Sequence, residues 1–335
     1  MKTLVTTFLL LFLNQSTLAI SEQNFEEQYK TTVEPFRDSN FQREKFLSFD
    51  GQNENCIYRP IQKNNENAII IFPGRMEPSI KYFELIYDLK DMPFDFFVID
   101  HRGQGFSDRL LKDPMRGHVE YFDDFTKDAD IVFKKYLKDY EKVNIISHSM
   151  GGAIHLRFLQ NFPQHKNKID KHISIAPMVD INFTPYKQWQ AVGILRIFDI
   201  IGQDNNYIIG GKPFNPDANF EDSRTTTSKI RWTKNHNFYL DYPELQMGST
   251  TNRWTLQSYV ATNKIIKNRS KLSDINLLIF QVENDAFVTN ARNPKLCESI
   301  KNCKIIEFKN AKHAVHSERD EIRNQFLVKV REFLQ

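Results

Sequence analysis

The sequence has no excess of charge of one sign. Its 335 residues contain 45 Lys and Arg against 42 Asp and Glu, which gives a formal net charge of +3. No block of Lys and Arg stands out as a nucleic-acid-binding patch, so we expect no nucleic-acid partner. The pI of about 8.5 is compatible with weak attraction to anionic membrane surfaces.

Cysteine is scarce, with three residues in the chain, and three cysteines cannot all pair with one another. Cys297 and Cys303 lie at the end of one predicted helix and the start of the next strand. A local disulfide between them and two unrelated buried thiols are both compatible with the sequence, and Cys56 stays unpaired. No group of His, Cys and carboxylate residues has the spacing of metal ligands, so the sequence predicts neither a metal nor a cofactor.

The amino terminus has an apolar run that is too short to cross a membrane. Residues 4–13 are apolar apart from two threonines, follow Lys2 and are followed by the small residue Ala19. A membrane span needs roughly 20 apolar residues, whereas a positive start, a short apolar core and a small residue are typical of a secretory signal peptide. We therefore expect cleavage after Ala19, which removes residues 1–19, and export to a periplasm or out of the cell.

Apolar strand patterns alternate with helical patterns along most of the remaining chain. Continuous apolar strands that alternate with helices predict a mostly parallel sheet covered on both faces, which is an α/β fold. An antiparallel pair of strands precedes this sheet at 44–49 and 56–59. The predicted strands are 68–72, 94–99, 142–147, 172–176, 276–281 and 304–308, and the predicted helices are 82–89, 121–140, 150–162, a short one near 296, and 317–334.

The alternation stops between residue 180 and about residue 271. This stretch contains all three tryptophans of the chain and is too long for an ordinary loop. We therefore expect an α/β core built from 20–180 and 272–335. The inserted segment, residues 181–271, is expected to fold as a cap over that core.

The hexapeptide at 147–152 contains a candidate nucleophile. An apolar strand ends there at Ser149, small residues flank it, and a helical pattern follows, which is the form of a nucleophile elbow. The sharp turn lifts the serine hydroxyl towards a base, and small neighbours relieve the crowding. Gly151 fills one usual glycine position, but Ser147 occupies the other. The alternative is a strand-turn-helix junction with an incidental serine.

A serine nucleophile needs a histidine base that a carboxylate orients. In elbow-bearing enzymes the carboxylate and then the histidine follow the serine in the chain. Asp285 follows the strand at 276–281, and His313 follows the last strand, so both should lie at the same sheet edge as Ser149. Glu283 competes with Asp285, and His316 competes with His313. We interpret the other histidines, including His101, His118 and His148, as packing or surface residues.

Acyl transfer also needs two backbone N–H groups that face the developing oxyanion. Met150 can supply one, because it follows the nucleophile at the start of a helix. Arg75 can supply the second from the loop after the strand at 68–72, where Gly74 permits a close backbone approach. The alternative for this loop is a plain turn.

Several stretches of the chain resemble the bacterial lysophospholipases of the L-two type, which are relatives of monoacylglycerol lipases in the α/β-hydrolase superfamily. The resemblance implies that Ser149 is the nucleophile, Asp285 the acid and His313 the base, with Arg75 and Met150 in the oxyanion hole. It also implies that the inserted segment caps an acyl pocket, and we expect Asp100 and Arg102 to hold a turn. The matching stretches are 72–77, 81–85, 99–107, 117–119, 147–152, 228–235 and 239–245, with Trp254 beyond them.

The sequence therefore favours a lysophospholipase that works through an acyl-enzyme and contacts a single-chain lipid and, peripherally, a membrane. The alternatives are a monoacylglycerol lipase or other carboxylesterase, a serine aminopeptidase of the same fold, and a non-catalytic binding protein. A peptidase needs acidic cap residues for a free amine, whereas a lipid enzyme needs an apolar channel. Arg224, Arg231 or Lys234 could meet a lipid phosphate or could simply be solvated. The sequence does not define the head group, the acyl length or the oligomeric state.

Overall fold

The computed structural model describes residues 19–335, so the predicted signal peptide lies, apart from Ala19, outside the described residues. An eight-stranded sheet forms its centre, in the order β1-β2-β4-β3-β5-β6-β7-β8. The strands are β1 (Phe41–Leu47), β2 (Glu54–Pro60), β3 (Asn67–Phe72), β4 (Asp95–Asp100), β5 (Lys142–His148), β6 (Ile169–Ile175), β7 (Asn276–Val282) and β8 (Asn302–Phe308). β2 pairs antiparallel with β1 and β4, and the other neighbours are parallel. The predicted antiparallel start and parallel sheet are confirmed.

Alternate side chains of each central strand enter opposite cores, because neighbouring residues of a strand point to opposite faces. On β3, Ile70 and Phe72 join one buried apolar cluster, whereas Ile69 and Ile71 join the other. Helices cover both faces of the sheet. They are α1 (Phe25–Gln28), α2 (Glu34–Asn40), α3 (Phe83–Asp88), α4 (Asp124–Lys135), α5 (Met150–Asn161), α6 (Gln188–Ile200), α7 (Lys229–Asp241), α8 (Asn252–Lys267), α9 (Asn293–Cys297) and α10 (Asp320–Leu334).

Two predicted helices are shorter in the structure by three residues or more. The helix expected over 121–140 is α4, and the helix expected from residue 317 begins three residues later as α10. Before α10, Val315–Ser317 forms a separate 3-10 turn, and Arg319 has an extended backbone with ψ 152° that breaks the helix. No helix within residues 19–335 combines the length and the apolar character that a membrane span requires.

Three helices, α6, α7 and α8, lie in the inserted segment between β6 and β7. α8 packs on α5, and its Trp254, Ala261 and Ile265 belong to one of the two apolar cores of the sheet. Gln160 Nε2 of α5 also donates to the Ile265 carbonyl at 2.9 Å. The C-terminal part of the inserted segment is therefore anchored to the sheet, and the boundaries of a separate cap stay a prediction.

Candidate active site

The backbone turns sharply at Ser149, between the end of β5 and the start of α5. Ser149 has φ 50° and ψ −114°, a conformation that side-chain-bearing residues rarely adopt. Its N–H donates to the Ile175 carbonyl at 2.9 Å, which ties the turn to β6. A Cβ on Gly151 would lie 2.0 Å from the Phe72 carbonyl oxygen, so only glycine fits there. The structure therefore has the strained turn and the close helix packing that the hexapeptide predicts.

Ser147 fits in its glycine position because its hydroxyl has polar neighbours below the turn. Its Oγ is fully buried and lies 3.1 Å from the Ile173 carbonyl oxygen and 3.0 Å from Ser174 Oγ. The side chain therefore points towards β6. A Cβ at Gly152, in contrast, would lie 2.7 Å from Pro177 Cβ, so the crowded positions of this turn are at the start of α5.

His313 and Asp285 are brought together at the carboxyl ends of β8 and β7. His313 Nδ1 lies 2.6 Å from Asp285 Oδ2, and both side chains are buried. Asp285 Oδ1 accepts hydrogen bonds from the Phe287 and Val288 N–H groups, at 2.8 and 3.1 Å. The competing Glu283 is exposed. The geometry thus singles out Asp285 as the carboxylate that orients His313.

Burial lowers the pKa of His313 below its ordinary value, although the hydrogen bond to Asp285 acts in the opposite direction. Burial alone would raise the pKa of Asp285, but its hydrogen bonds from His313 and from two backbone N–H groups bring that pKa below its ordinary value. The pair therefore holds a neutral imidazole beside an ionised carboxylate at neutral pH, which is the protonation state that a general base needs.

Ser149 and His313 line the same cavity, which has a volume of about 710 Å³. The Ser149 hydroxyl makes no hydrogen bond to any described residue within 3.5 Å, so its Oγ is open to the cavity. Hydrogen bonds between catalytic groups are often long before a substrate binds. The structure thus brings the three predicted residues to one site and aligns the His313–Asp285 pair.

The two predicted oxyanion donors, Arg75 and Met150, line this cavity as well. The contact between Gly151 and the Phe72 carbonyl brings the start of α5 against the loop that follows β3. Within residues 19–335, neither the Arg75 N–H nor the Met150 N–H donates to a protein acceptor. Both groups are thus available to a ligand, as an oxyanion hole requires.

Glu77 and His148 also belong to the site, although no sequence pattern indicated Glu77 and we expected His148 to be a packing or surface residue. His148 Nδ1 lies 2.6 Å from Glu77 Oε2, and His148 Nε2 lies 3.3 Å from the backbone oxygen of His313. Glu77 Oε2 also accepts from the Tyr82 hydroxyl at 2.6 Å and the Gly74 N–H at 2.9 Å. This network joins the two loops that carry the base and the oxyanion donor. The position of His148 directly before the nucleophile was the signal that could have revealed it.

His316, the competitor of His313, lies on the other side of Glu77. It stacks on Tyr82, and its Nε2 is 3.9 Å from Glu77 Oε1. Together with His148 it forms the one group of three potential metal-ligating side chains among residues 19–335. Because one Glu77 oxygen already accepts three hydrogen bonds, Glu77 and His148 form a hydrogen-bonded support for the site, and His316 packs beside it.

Asp100 and Arg102 hold a turn after β4, as we expected from the sequence. Asp100 accepts from the Ser79 N–H and hydroxyl, each at 2.7 Å, and a Cβ on Gly105 would lie 2.0 Å from an Asp100 oxygen. Arg102 Nε donates to Asp128 at 2.6 Å. These contacts pack the loop after β4 under the site, and neither side chain lines the cavity.

The three cations considered for a lipid phosphate have different surroundings. Arg231 is buried, pairs with Glu84 and Asp320, each at 2.8 Å, and does not line the cavity. Both a phosphate contact and a solvated position are therefore wrong for Arg231. Lys234 pairs with Glu34 at 3.0 Å. Arg224 lines the cavity and is exposed, with its guanidinium 5.1 Å from the centre of the Phe287 ring.

The three cysteines form one disulfide and leave one free thiol. Cys297 and Cys303 form a disulfide with a Cα–Cα distance of 5.3 Å, which closes the segment between α9 and β8. Cys56 is free and buried on β2. The disulfide lies on the outer strand of the sheet, and neither of its residues lines the cavity.

Known proteins resemble the chain in sequence and in fold. The family described as "Serine aminopeptidase, S33" matches residues 63–320. "Lysophospholipase L2" of Escherichia coli is 31% identical over 281 residues, which is 81% of each chain. "Probable lysophospholipase L2" of Haemophilus influenzae is 30% identical over 268 residues, 79% of this chain and 83% of the relative.

A solved structure of the monoglyceride lipase of Saccharomyces cerevisiae superposes with a TM-score of 0.67. It is 17% identical and covers 88% of this chain and 95% of the lipase, so this likeness concerns the fold. The mostly parallel eight-stranded sheet with an elbow after β5 is the α/β-hydrolase fold. The chain belongs to the serine aminopeptidase S33 family of α/β-hydrolases and is a relative of the lysophospholipase L2 proteins.

Proposed function

We propose that the protein is a serine hydrolase that releases a fatty acid from a lysophospholipid. The observation that carries this proposal is the oriented His313–Asp285 pair, which shares the wall of one large cavity with the strained Ser149. The names of the relatives from Escherichia coli and Haemophilus influenzae support the lysophospholipid as substrate.

The proposed reaction has two steps, and His313 moves a proton in each. In the first, His313 takes the hydroxyl proton while Ser149 Oγ bonds to the ester carbonyl carbon, and the Arg75 and Met150 N–H groups bind the oxyanion. The bond to the alcohol breaks, and His313 returns the proton to that alcohol. In the second step His313 takes a proton from a water molecule that attacks the acyl carbon. The bond from that carbon to Ser149 Oγ breaks, His313 gives the proton to Oγ, and the fatty acid leaves.

The cavity supports an acyl chain as part of the substrate. Many apolar side chains of the inserted segment line it, as a long hydrocarbon requires. They come from the loops before and after α6 and from α6 itself, so the inserted segment supplies much of the apolar wall. These side chains include Ile181, Phe183, Ile194, Leu195, Phe198, Ile208, Ile209 and Phe214.

The charges in the cavity favour a lipid over a peptide. A peptidase that acts from the amino terminus needs a carboxylate to bind the free amine. Among the described residues that line the cavity, Glu77 is the one acid, and its Oε2 already accepts three hydrogen bonds. Arg75, Lys81 and Arg224 line the same cavity and would repel an amine. A monoacylglycerol lipase is the second candidate, because the yeast lipase has the same fold.

A side-by-side assay tests the proposal. Lysophosphatidylcholine, monoacylglycerol of the same acyl chain and aminoacyl-nitroanilides are compared at equal concentration, and a fluorophosphonate probe reports whether Ser149 reacts. We expect labelling by the probe and the highest kcat/KM with lysophosphatidylcholine. Turnover of the aminoacyl substrate without lipid turnover would contradict the proposal, and a higher kcat/KM for monoacylglycerol would favour the second candidate.

We also propose peripheral contact with a membrane through α6. Its Trp189 and Ile200 are 72% and 83% exposed, and Ile197 of the helix and Ile201 directly after it are more than half exposed. Several apolar side chains exposed on one short segment support an interaction site, and the acyl-binding cavity lies on the inner side of the same helix. The outer side of α6 would then sit at the lipid surface from which a substrate enters.

We further propose that the chain is exported, as its first 19 residues predict. The disulfide between Cys297 and Cys303 supports this proposal, because disulfides persist in oxidising compartments. Fractionation of cells that express the full chain, followed by mass measurement, tests it. An unprocessed protein in the cytoplasm would contradict it.

A further inference from the structure

The Arg75 side chain is an unpaired cation in the wall of the cavity. Its Nη1 donates to the Gly248 carbonyl at 2.9 Å, and its guanidinium lies 5.8 Å from the centre of the Trp254 ring. No carboxylate of residues 19–335 comes within 4.0 Å of it. Burial lowers the pKa of Arg75 to about 10, so the side chain still carries a positive charge at neutral pH.

Four arginines elsewhere in the chain are more completely buried than Arg75 and provide a comparison. Arg102, Arg157, Arg231 and Arg323 each pair with a carboxylate, at 2.6, 2.8, 2.8 and 2.5 Å. An ion removed from water needs an opposite charge or several hydrogen bonds to offset its lost hydration. Arg75 is half-buried and has one carbonyl as its hydrogen-bond partner. An anionic ligand would supply the missing charge.

Arg75 lies close to the position proposed for the substrate ester. Its backbone N–H is the proposed second oxyanion donor, so the guanidinium lies within one side-chain length of the ester carbonyl. In a lysophospholipid the phosphate is separated from the ester by the glycerol carbons, which is a comparable distance. Arginine is suited to phosphate because its planar donors can bind two oxygens at once.

We propose that the Arg75 guanidinium binds the phosphate of the lipid head group and thereby selects phosphate-bearing lipids over monoacylglycerol. This inference rests on the proposed function for the identity of the substrate. Lys81 and Arg224 also line the cavity, and within residues 19–335 neither has a carboxylate within 4.0 Å, so they are the competing cations. Arg224 is exposed, and water already compensates its charge.

The test compares Arg75→Gln with the wild-type enzyme on lysophosphatidylcholine and on monoacylglycerol of the same chain length. We expect the ratio of the two kcat/KM values to fall by about 10- to 100-fold, because a hydrogen-bonded charge is lost for one substrate only. Arg75→Lys should restore part of the ratio. Lys81→Gln and Arg224→Gln are the matched controls and should change the ratio by less than about threefold.

A second measurement does not depend on lysophospholipid turnover. Dodecylphosphocholine and dodecylglycerol ether, which contain no ester, are tested as inhibitors of the hydrolysis of a neutral nitrophenyl ester. Arg75→Gln should weaken inhibition by the phosphocholine about 10-fold or more relative to inhibition by the glycerol ether.

An unchanged ratio in both measurements, even with lower absolute activity, would overturn the role of Arg75. A changed ratio in Lys81→Gln or Arg224→Gln instead would assign the phosphate to that residue. Absence of lysophospholipid turnover in the wild-type enzyme, with selective inhibition intact, would overturn only the proposed function.

A different observation concerns Ile20, the residue that follows the predicted cleavage site. Ile20 is buried, its N–H donates to Asp88 Oδ1 at 2.9 Å, and its carbonyl accepts from Arg231 Nη2 at 2.9 Å. Asp88 is itself buried and pairs with Arg323 at 2.5 Å. The backbone that begins the expected mature chain thus enters a buried ion network.

The network contains more acids than bases. Glu22, Glu84, Asp88 and Asp320 lie around Arg231 and Arg323, so four carboxylates face two guanidiniums. Burial raises the pKa of Asp88 to about 6, with Arg323 acting in the opposite direction. A further positive charge beside Asp88 would therefore stabilise its ionised form.

We propose that removal of the signal peptide supplies this charge. Hydrolysis of the Ala19–Ile20 peptide bond by a signal peptidase and one water molecule leaves a carboxylate on Ala19 and an amine on Ile20, and the amine takes up a proton. The Ile20 ammonium then forms an ion pair with Asp88. Because Ile20 is buried in the folded chain, cleavage precedes docking, and processing contributes to the stability of the mature protein.

The test compares Asp88→Asn in the processed chain, which begins at Ile20, with the same change in a chain that retains Ala19. N-terminal sequencing first identifies the processed terminus. Melting temperatures then report the coupling between the Ile20 ammonium and Asp88. We expect Asp88→Asn to lower the melting temperature by about 3 °C more in the processed chain. Asp91→Asn, which breaks the surface pair with Arg331, is the matched control and should act equally in both chains. A terminus other than Ile20, or equal losses for Asp88→Asn, would overturn the proposal.

Discussion

Apolar side chains are buried in the sheet core, whereas many of those in the inserted segment are exposed or line the cavity. In the core, both faces of the sheet are covered by large buried clusters, and strand residues such as Ile70 and Ile71 have no exposed surface. In the inserted segment, the separate buried cluster contains only Val192, Leu195 and Leu256. Trp189, near the start of α6, is 72% exposed. Apolar residues hold the fold together in the core, whereas many of those in the inserted segment face a cavity or solvent.

The residues expected to carry out the chemistry and the residues that form the apolar wall of the cavity therefore lie in different regions of the molecule. Ser149, Asp285 and His313 all follow strands of the sheet, which hold them rigidly at one edge. The apolar wall of the cavity comes largely from the inserted segment, whose side chains can contact a bound ligand. Substitutions of Ser149, Asp285 or His313 should therefore lower activity towards every substrate. Substitutions in the inserted segment should change the hydrolysis of lipids or the binding to membranes.

The largest effect is expected at the nucleophile. Ser149→Ala should lower kcat/KM by at least about 10⁴-fold on lipid and on soluble esters, because the covalent step is lost. Steady-state kinetics measure the effect, and thermal melting checks that the fold is intact. Ser147→Ala is the matched control from the same turn and should keep its activity. Substantial turnover by Ser149→Ala would show that the chemistry does not depend on the core elbow.

A smaller effect is expected on the outer side of α6. The double change Trp189→Ser and Ile200→Ser should weaken binding to phosphatidylglycerol–phosphatidylcholine vesicles about 10-fold, because two exposed apolar side chains are lost. Vesicle flotation measures it, and hydrolysis of a short soluble ester should be unchanged. Val328→Ser on α10, whose side chain is 45% exposed, is the control. Equal vesicle binding by all variants would contradict a special role for the inserted segment.

The pH dependence of the core chemistry is a finer test. His313 acts as a base only when it is neutral, and burial holds its pKa below the ordinary value of 6.5. As pH falls, activity should therefore persist below 6.5 before protonation of His313 abolishes it. The acid limb of kcat/KM, measured on a neutral ester, reports this pKa for the free enzyme. A midpoint at or above 6.5 would mean that the carboxylate of Asp285 outweighs burial.

The smallest effect on catalysis is expected from the disulfide, because it lies in the core but outside the cavity. Replacing Cys297 and Cys303 by serine should lower the free energy of unfolding by about 2 kcal/mol, as expected for a short closed loop. Urea unfolding measures this change, and kcat/KM should stay within experimental error. A clear loss of kcat/KM would show that the site depends on the outer strand more than its distance from the cavity suggests.

The sequence predicted the parts of the site that follow local patterns. Ser149 lies in a recognisable strand-turn-helix pattern, and Asp285 and His313 follow strands whose carboxyl ends must meet at one edge of a parallel sheet. Glu77, in contrast, sits 71 residues before its partner His148, and no local pattern connects them. The ion pairs of Arg231 with Glu84 and Asp320 could not be predicted for the same reason, because the partners come from distant segments of the chain.

The amino-acid sequence by itself determined the α/β order of elements and the three residues expected to carry the chemistry, because both follow from periodicity and from the order of motifs along the chain. Only the tertiary structure decided which cations have carboxylate partners and which do not. Burial and charge pairing depend on residues that are remote in sequence. For that reason two features emerged only once the chain was folded: Arg75 has no carboxylate partner among residues 19–335, and the buried Ile20 lies beside Asp88.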